Sequence, residues 1–203
     1  MHLTSAMNAL PLSPRDLVIA AAAGIAIAAA CGLRAFLPLL ALGLGVHFGW
    51  LHVPPGSAWI GTLPVLVALT WATILEVAAD KVPALDHVLD VIATFLRPAA
   101  AAIAAWCTFS GVHPAIAVAA ALILGGGALG IHLTKAKVRL GSSALTLGHA
   151  NPAISFVEDG VTTLLSTMAL VAPIVAAAGV VVLVLAIALK TREAPRTVGD
   201  PRR

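Results

Sequence analysis

The sequence predicts an all-α, polytopic membrane bundle of about six transmembrane helices, and three observations carry that prediction. The 203 residues are 60% hydrophobic and only 10% charged, against about 25% charged in an ordinary soluble domain. Mean hydropathy is +1.02. Several apolar runs approach the roughly 20 residues that a helix needs to cross a bilayer. No polar linker divides the chain, so the expected organisation is a cytoplasmic tail over 1–16, one helical domain over 17–190 and a basic tail over 191–203 without fixed structure.

From Leu17 the chain is apolar to Val46, interrupted at Gly32, Arg34 and Pro38, which predicts one long, broken first helix. Ala29-Ala30-Cys31-Gly32 has the form of a lipoprotein cleavage site, but the apolar run resumes at once where a lipoprotein would turn polar. Residues 47–58 form a loop without full charges, flanked by Trp50 and Trp59 as interfacial anchors. A second helix is expected over about 60–80. A third starts near Pro83, a residue suited to a first helical turn, and either stops at Arg97-Pro98 or continues with a kink to about Ser110. A fourth covers 114–134, with Gly126-x-x-x-Gly130 as a close-packing spacing. Residues 135–151 read as a basic loop with Lys135, Lys137 and Arg139. Asn151-Pro152 is a helix start, opening a fifth helix to about 170. Pro173 separates it from a sixth that ends near Leu189.

Function is sought where charge enters this apolar chain. Leu75 to Pro98 holds Glu76, Asp80, Lys81, Asp86, Asp90 and Arg97. Asp86, Asp90, Thr94 and Arg97 share one helix face, and Glu76 and Asp80 share another. Glu158 and Asp159 open the fifth helix beside Asn151 and Ser155. Arg34 and Arg97 lie well inside apolar runs, where an ionised side chain needs a partner away from lipid. The candidate substrate or cation site is therefore Arg34, Glu76, Asp80, Asp86, Asp90, Arg97, Asn151, Ser155, Glu158 and Asp159. The plainer account is that first-turn carboxylates favour the helix dipole while Lys81 and water neutralise the rest.

Pro83–Leu96 aligns without gaps on Pro152–Leu165, matching Asp90 to Asp159 and Thr94 to Thr163. Such internal repeats build many transporters. Asp90 and Asp159 are expected to face one another across a shared cavity, and the two copies are parallel if 84–110 is one crossing.

Gly32-Leu-Arg-Ala-Phe-Leu-Pro-Leu-Leu40, Leu75-Glu-Val-Ala-Ala-Asp-Lys-Val-Pro-Ala-Leu-Asp86, Thr94-Phe-Leu-Arg-Pro98 and Asn151-Pro-Ala-Ile-Ser-Phe-Val-Glu-Asp159 resemble the bacterial membrane family called domain of unknown function 4126. The resemblance covers about 15–190. It implies a membrane protein and brings no activity with it.

Three functions fit these residues. The favoured one is a small transporter or permease, its carboxylates serving a cation or a proton-coupled solute. A divalent cation is the one cofactor such a site suggests. The others are a structural or accessory bundle without turnover and a Mg-dependent lipid-phosphate enzyme, for which Asp86-x-x-x-Asp90 supplies half a signature. The expected partner is the lipid bilayer, and an oligomer is compatible with the sequence. Basic and aromatic residues are not interleaved as nucleic-acid binders require. Cys31 and Cys107 read as small buried hydrophobes. Basic residues flank the predicted inner loops and none lies in the outer ones, which predicts both termini in the cytoplasm and 47–58 outside a bacterial inner membrane.

Overall fold

The computed structural model describes residues 13–80, 83–146 and 151–193, and the side chains of all of these except 83–90, 143–146, 151–152, 187–188 and 190–193. Every regular element described is helical: α1 (Pro14–Cys31), α2 (Phe36–His47), a 3-10 turn (Pro55–Gly61), α3 (Leu63–Ala79), α4 (Pro83–Phe109), α5 (Pro114–Thr146), α6 (Asn151–Val171) and α7 (Pro173–Glu193). The first helix begins inside the expected tail. Ser13 caps it, its hydroxyl accepting from Asp16 N–H at 3.2 Å, and Pro14 takes the first helical position where its missing N–H is harmless.

The exposed surface is that of a multi-pass membrane protein. Leu63, Trp71, Leu75, Phe95, Leu122, Ile123, Val171 and Val175 are among many large apolar side chains left exposed, while the largest fully buried side chain is Arg34. The core is built of Ala20, Ala23, Ala26, Ala101, Ala104 and Cys107, with Thr108, His132, Ser155 and Thr162 also buried. Small and polar residues inside, with Leu, Val and Ile outside, is the order expected when the surrounding solvent is hydrocarbon. Among the described residues four helices are long and apolar enough to span a bilayer, or five if the 3-10 turn and α3, bent by 52°, count together. Six crossings is thus an approximate figure.

The run 17–46 is not one broken crossing. Gly32 closes α1 by donating to Ala29 O at 3.1 Å. Pro38 then lies in the first turn of a new helix, α2, rather than inside an old one. There its missing N–H removes no helical bond. The two pieces run in opposite directions, as the contacts show. Gly24 meets Thr108, near the end of α4, while Gly32 meets Ala128 and Ile131, on the stretch of α5 whose Gly125 packs on Pro98. So α1 is antiparallel to α4. Ser57 and Ser110, before α3 and after α4, bond at 2.8 Å, making α3 antiparallel to α4. Ala35 meets Glu76 and Gly43 meets Leu66, making α2 antiparallel to α3. The start of α1 therefore lies at the same end of the bundle as the 47–58 loop. That corrects the expected arrangement, in which one crossing separates them.

One open expectation is decided and another changes. Of the two courses open to the third helix, the longer one holds, α4 running through Pro98 to Phe109. α5 runs on to Thr146, so Lys135 and Arg139 stand on a helix and not in a basic loop. The glycine that α4 and α5 need is Gly125, where an added Cβ would come within 3.0 Å of Pro98 O; Gly126 and Gly130 face open space.

Candidate functional site

The reversal between α1 and α2 is the centre of the charged end. Helices α3 and α6 bring carboxylates to it, and α4 and α5 bring cations. The first polar groups to satisfy are the N–H groups that open α2, since no residue of that helix can accept from them. Glu76, near the end of α3, does so: Ala35 N–H donates to Oε1 at 2.7 Å and Phe36 N–H to Oε2 at 3.0 Å. A carboxylate there also meets the positive end of the helix dipole.

Arg34, wholly buried, holds the next layer together. Its Nη2 lies 2.9 Å from Asp80 Oδ2 and 2.6 Å from Asp159 Oδ1. It also donates to Ser155 Oγ at 2.9 Å, and Ser155 in turn donates to Asp80 Oδ2 at 2.8 Å. Arg139 donates to the other Asp80 oxygen at 3.0 Å. Lys135 pairs with Glu158 at 2.6 Å and reaches Leu33 O at 3.4 Å. Asp80 lies just beyond α3. Burial alone would push its carboxyl up, but Arg34, Lys135 and Arg139, helped by the Ser155 hydroxyl, outweigh burial and hold it at about 2.

Arg97 solves its burial differently. Its Nη1 donates to His132 Nδ1. A neutral imidazole accepting there carries its proton on Nε2, which faces Thr94 Oγ1 at 3.1 Å. Arg34, Glu76, Asp80 and Arg97 are the charged lining of a cavity of about 350 Å³, whose other walls are Ala35 and Phe36 at the start of α2, Ala72, Leu75 and Ala79 of α3 and Ile92, Ala93 and Leu96 of α4.

Of the ten residues expected at the site, seven gather here: Arg34, Glu76, Asp80, Ser155, Glu158 and Asp159 around the reversal, and Arg97 across the cavity. The side chains of Asp86, Asp90 and Asn151 lie outside the described residues, and with them the pairing of Asp90 and Asp159. The backbone bears on the repeat all the same. α6 runs from Ser155, beside Arg34, to Leu170, beside Gly45, so α4 and α6 point the same way. Their matched threonines part company, however: Thr94 faces His132, whereas Thr163 is exposed and bonds its own helix at Asp159 O.

Charge balance changes the chemistry expected of this site. Among the described residues it sets Arg34, Arg97, Lys135 and Arg139 against Glu76, Asp80, Glu158 and Asp159. The carboxylates already have cationic or N–H partners, and no three His, Cys, Asp or Glu side chains gather as a metal cage would among the described residues. A divalent cation would have to displace arginine or lysine first. Three contributors were missed in the sequence: His132, Lys135 and Arg139. Their i, i+3, i+7 spacing places them on one helix face, a signal hidden once 135–151 is read as a loop.

No curated protein and no solved structure matches the chain. Residues 21–193 match the family model for a domain of unknown function (DUF4126), and the chain belongs to that family.

Proposed function

We infer that the protein is a small membrane transporter whose substrate site is the cavity between α3 and α4. The observation that carries this is the cavity's position. It ends at the reversal between α1 and α2, where Arg34, Glu76, Asp80 and Arg97 line one wall. Helix ends that meet inside a bundle, with charge gathered on them, are where many transporters bind solutes within a membrane. An ionised group held at bilayer depth costs about 2.5–3.5 kcal/mol, so a cluster of them beside a cavity favours a role beyond holding helices together. With the carboxylates compensated, the substrate is a solute rather than a bare cation.

The charged end faces the cytoplasm in this proposal. Lys137 is exposed there; at the opposite end the 47–58 loop presents His52, Trp50 and Trp59 with no Lys or Arg, and Arg15 at the start of α1 is the basic residue described. A bacterial inner membrane is the setting. Single cysteines at positions 52 and 137, in a chain lacking Cys31 and Cys107, should label from opposite faces of intact cells.

The decisive test is reconstitution. Proteoliposomes should accumulate at least one member of a panel of labelled amino acids, sugars and organic acids, octanoate and octyl phosphate among them, under an imposed pH gradient, and Ala93→Trp, which fills the cavity, should stop it. Absence of flux for the whole panel, with no proton movement, would leave an accessory bundle as the better account.

A further inference from the structure

The cavity between α3 and α4 is not uniformly polar. Its length is apolar, and its sides are open. α3 has a single buried residue, Leu66, and leans on α2 rather than on α4. Leu75, Ile92 and Leu96 line the cavity and are still 65%, 46% and 38% exposed. A gap with such walls opens to lipid, not to water.

Its inner end has the opposite character, and among the described residues that line it, unpaired donors outnumber unpaired acceptors. Both Glu76 oxygens are engaged by the N-terminus of α2. Both Asp80 oxygens are engaged by Arg34, Ser155 and Arg139. Left over are Nε and Nη1 of Arg34 and Nε of Arg97, which have no hydrogen-bond partner among the described residues. Arg34 is fully buried, Arg97 is 3% exposed, and both belong to the cavity wall. A buried guanidinium nitrogen without an acceptor is costly, and the missing group is one that accepts.

We propose that this crevice binds an anionic amphiphile, its carboxylate or phosphate head against Arg34 and Arg97 and its apolar body between α3 and α4. This deepens the transporter reading by naming the substrate class of the same site, and it rests on that reading for its function. A hydrophilic solute would leave the Leu75, Ile92 and Leu96 walls without a partner. A neutral lipid chain would cover those walls and leave the arginine donors unanswered. The volume suits the class: about 350 Å³ is roughly twelve times the volume of a liquid water molecule, room for an acidic head and a chain of about eight carbons. Arginine presents fixed N–H donors that match the planar carboxylate and the phosphate equally. The head therefore has two sources, a bilayer phospholipid or a free acid.

The test uses the full-length chain in an uncharged maltoside detergent, with binding read by native mass spectrometry. The probes are octanoate, octyl phosphate, phosphatidylglycerol, octanol and octyltrimethylammonium. At least one acidic probe should bind one per chain, about tenfold or more tighter than octanol or the ammonium. Binding of phosphatidylglycerol alone assigns the source to the bilayer; binding of the short acids assigns it to a free amphiphile. Ala93→Trp, which touches none of the ion pairs, should weaken that binding about tenfold or more, as should Arg97→Gln. Equal binding of octanol and octanoate overturns the proposal, and so does an Ala93→Trp variant that binds like the parent. A dimer that Ala93→Trp dissociates, with no acid bound, overturns it in favour of a second copy in the crevice. Set beside the flux assay, the result separates the two readings. Acid bound without flux removes the transporter and keeps the site; flux of a hydrophilic solute without acid binding removes the site and keeps the transporter.

Discussion

The two ends of this bundle are held together by opposite means. At the charged end, Arg34, Asp80, Ser155 and Asp159 join α1, α3 and α6 through one guanidinium. Toward the other end, α1 and α4 meet through small residues: Gly24 against Thr108, with Ala101, Ala104 and Ala105 fully buried on α4. The first contact is specific and electrostatic, and fails if one partner is removed. The second depends on backbone proximity, and fails if atoms are added. In lipid, where apolar surface gains nothing by leaving its surroundings, these are the two main devices left for holding helices together.

The charged end should break hardest. Arg34→Met keeps much of the volume but leaves the buried carboxylate of Asp80 and the half-buried one of Asp159 without their shared cation. Stripping one partner from a buried pair costs about 3–5 kcal/mol. The variant is expected to lose its monodisperse peak in size-exclusion chromatography, or to melt far below the parent in detergent. Asp159→Asn in the Arg34→Met background should recover part of the loss, because one charge facing the lost guanidinium goes with it, while Asp80 keeps Arg139 at 3.0 Å. No recovery would mean that Arg34 acts through packing alone.

The small-residue seam should fail more mildly. A Cβ on Gly24 would lie 2.0 Å from Thr108 Oγ1, so Gly24→Ala forces α1 from α4 at a cost of about 1–3 kcal/mol. Thr108→Ala should relieve part of that, since the hydroxyl and methyl go while Cβ remains 2.9 Å away. Thermal unfolding of the single and double variants measures the coupling.

This contrast also explains what could be read from the sequence. Helical class and membrane setting follow from composition and run length, which need no tertiary knowledge. The acidic residues and Arg34 stood out because charge is rare in an apolar run, and most of them do gather. Lys135 and Arg139 did not stand out, because a basic cluster after an apolar run looks the same whether it is a surface anchor or the far half of an ion network. The antiparallel turn between α1 and α2 was equally hidden. Gly32 and Pro38 signal a break, but the direction taken afterward is set by which carboxylates Arg34 and the first N–H groups of α2 can reach. Likewise, Gly126-x-x-x-Gly130 has the spacing of a packing face, but α5 is rotated so that Gly125 makes the contact.

Between these extremes lies Glu76, which serves α2 from outside it. Glu76→Ala leaves two N–H groups unpaired and should cost about 1–2 kcal/mol, in the range of a lost helix cap. Glu76→Gln keeps one acceptor and should cost less, with melting temperature as the readout. Acid should act through Asp80. Its folded pKa is depressed to about 2, so its stabilisation is present in full above the unfolded value of about 3.9 and is lost as pH falls toward 2. Asp80 should therefore contribute no pH dependence between pH 8 and 5. The parent should destabilise below about pH 4, and Asp80→Asn, though less stable throughout, should show a shallower acid limb.

The smallest effect is expected where the sequence looked most like a packing motif. Gly126 and Gly130 are exposed on α5, and a Cβ at either meets nothing within 4 Å. Glycine weakens a helix by about 1 kcal/mol relative to alanine. Gly126→Ala and Gly130→Ala should therefore leave stability unchanged or raise it by up to about 1 kcal/mol each. Gly125→Ala, one position away and 3.0 Å from Pro98 O, should lower it. The sign change between neighbouring glycines is the discriminating result, because helix propensity is the same at all three positions and only the surroundings differ. If Gly126→Ala or Gly130→Ala instead lowered the melting temperature in a concentration-dependent way, the face would be covered by a second copy of the chain. Close packing would then act between molecules as it does between α1 and α4 within one.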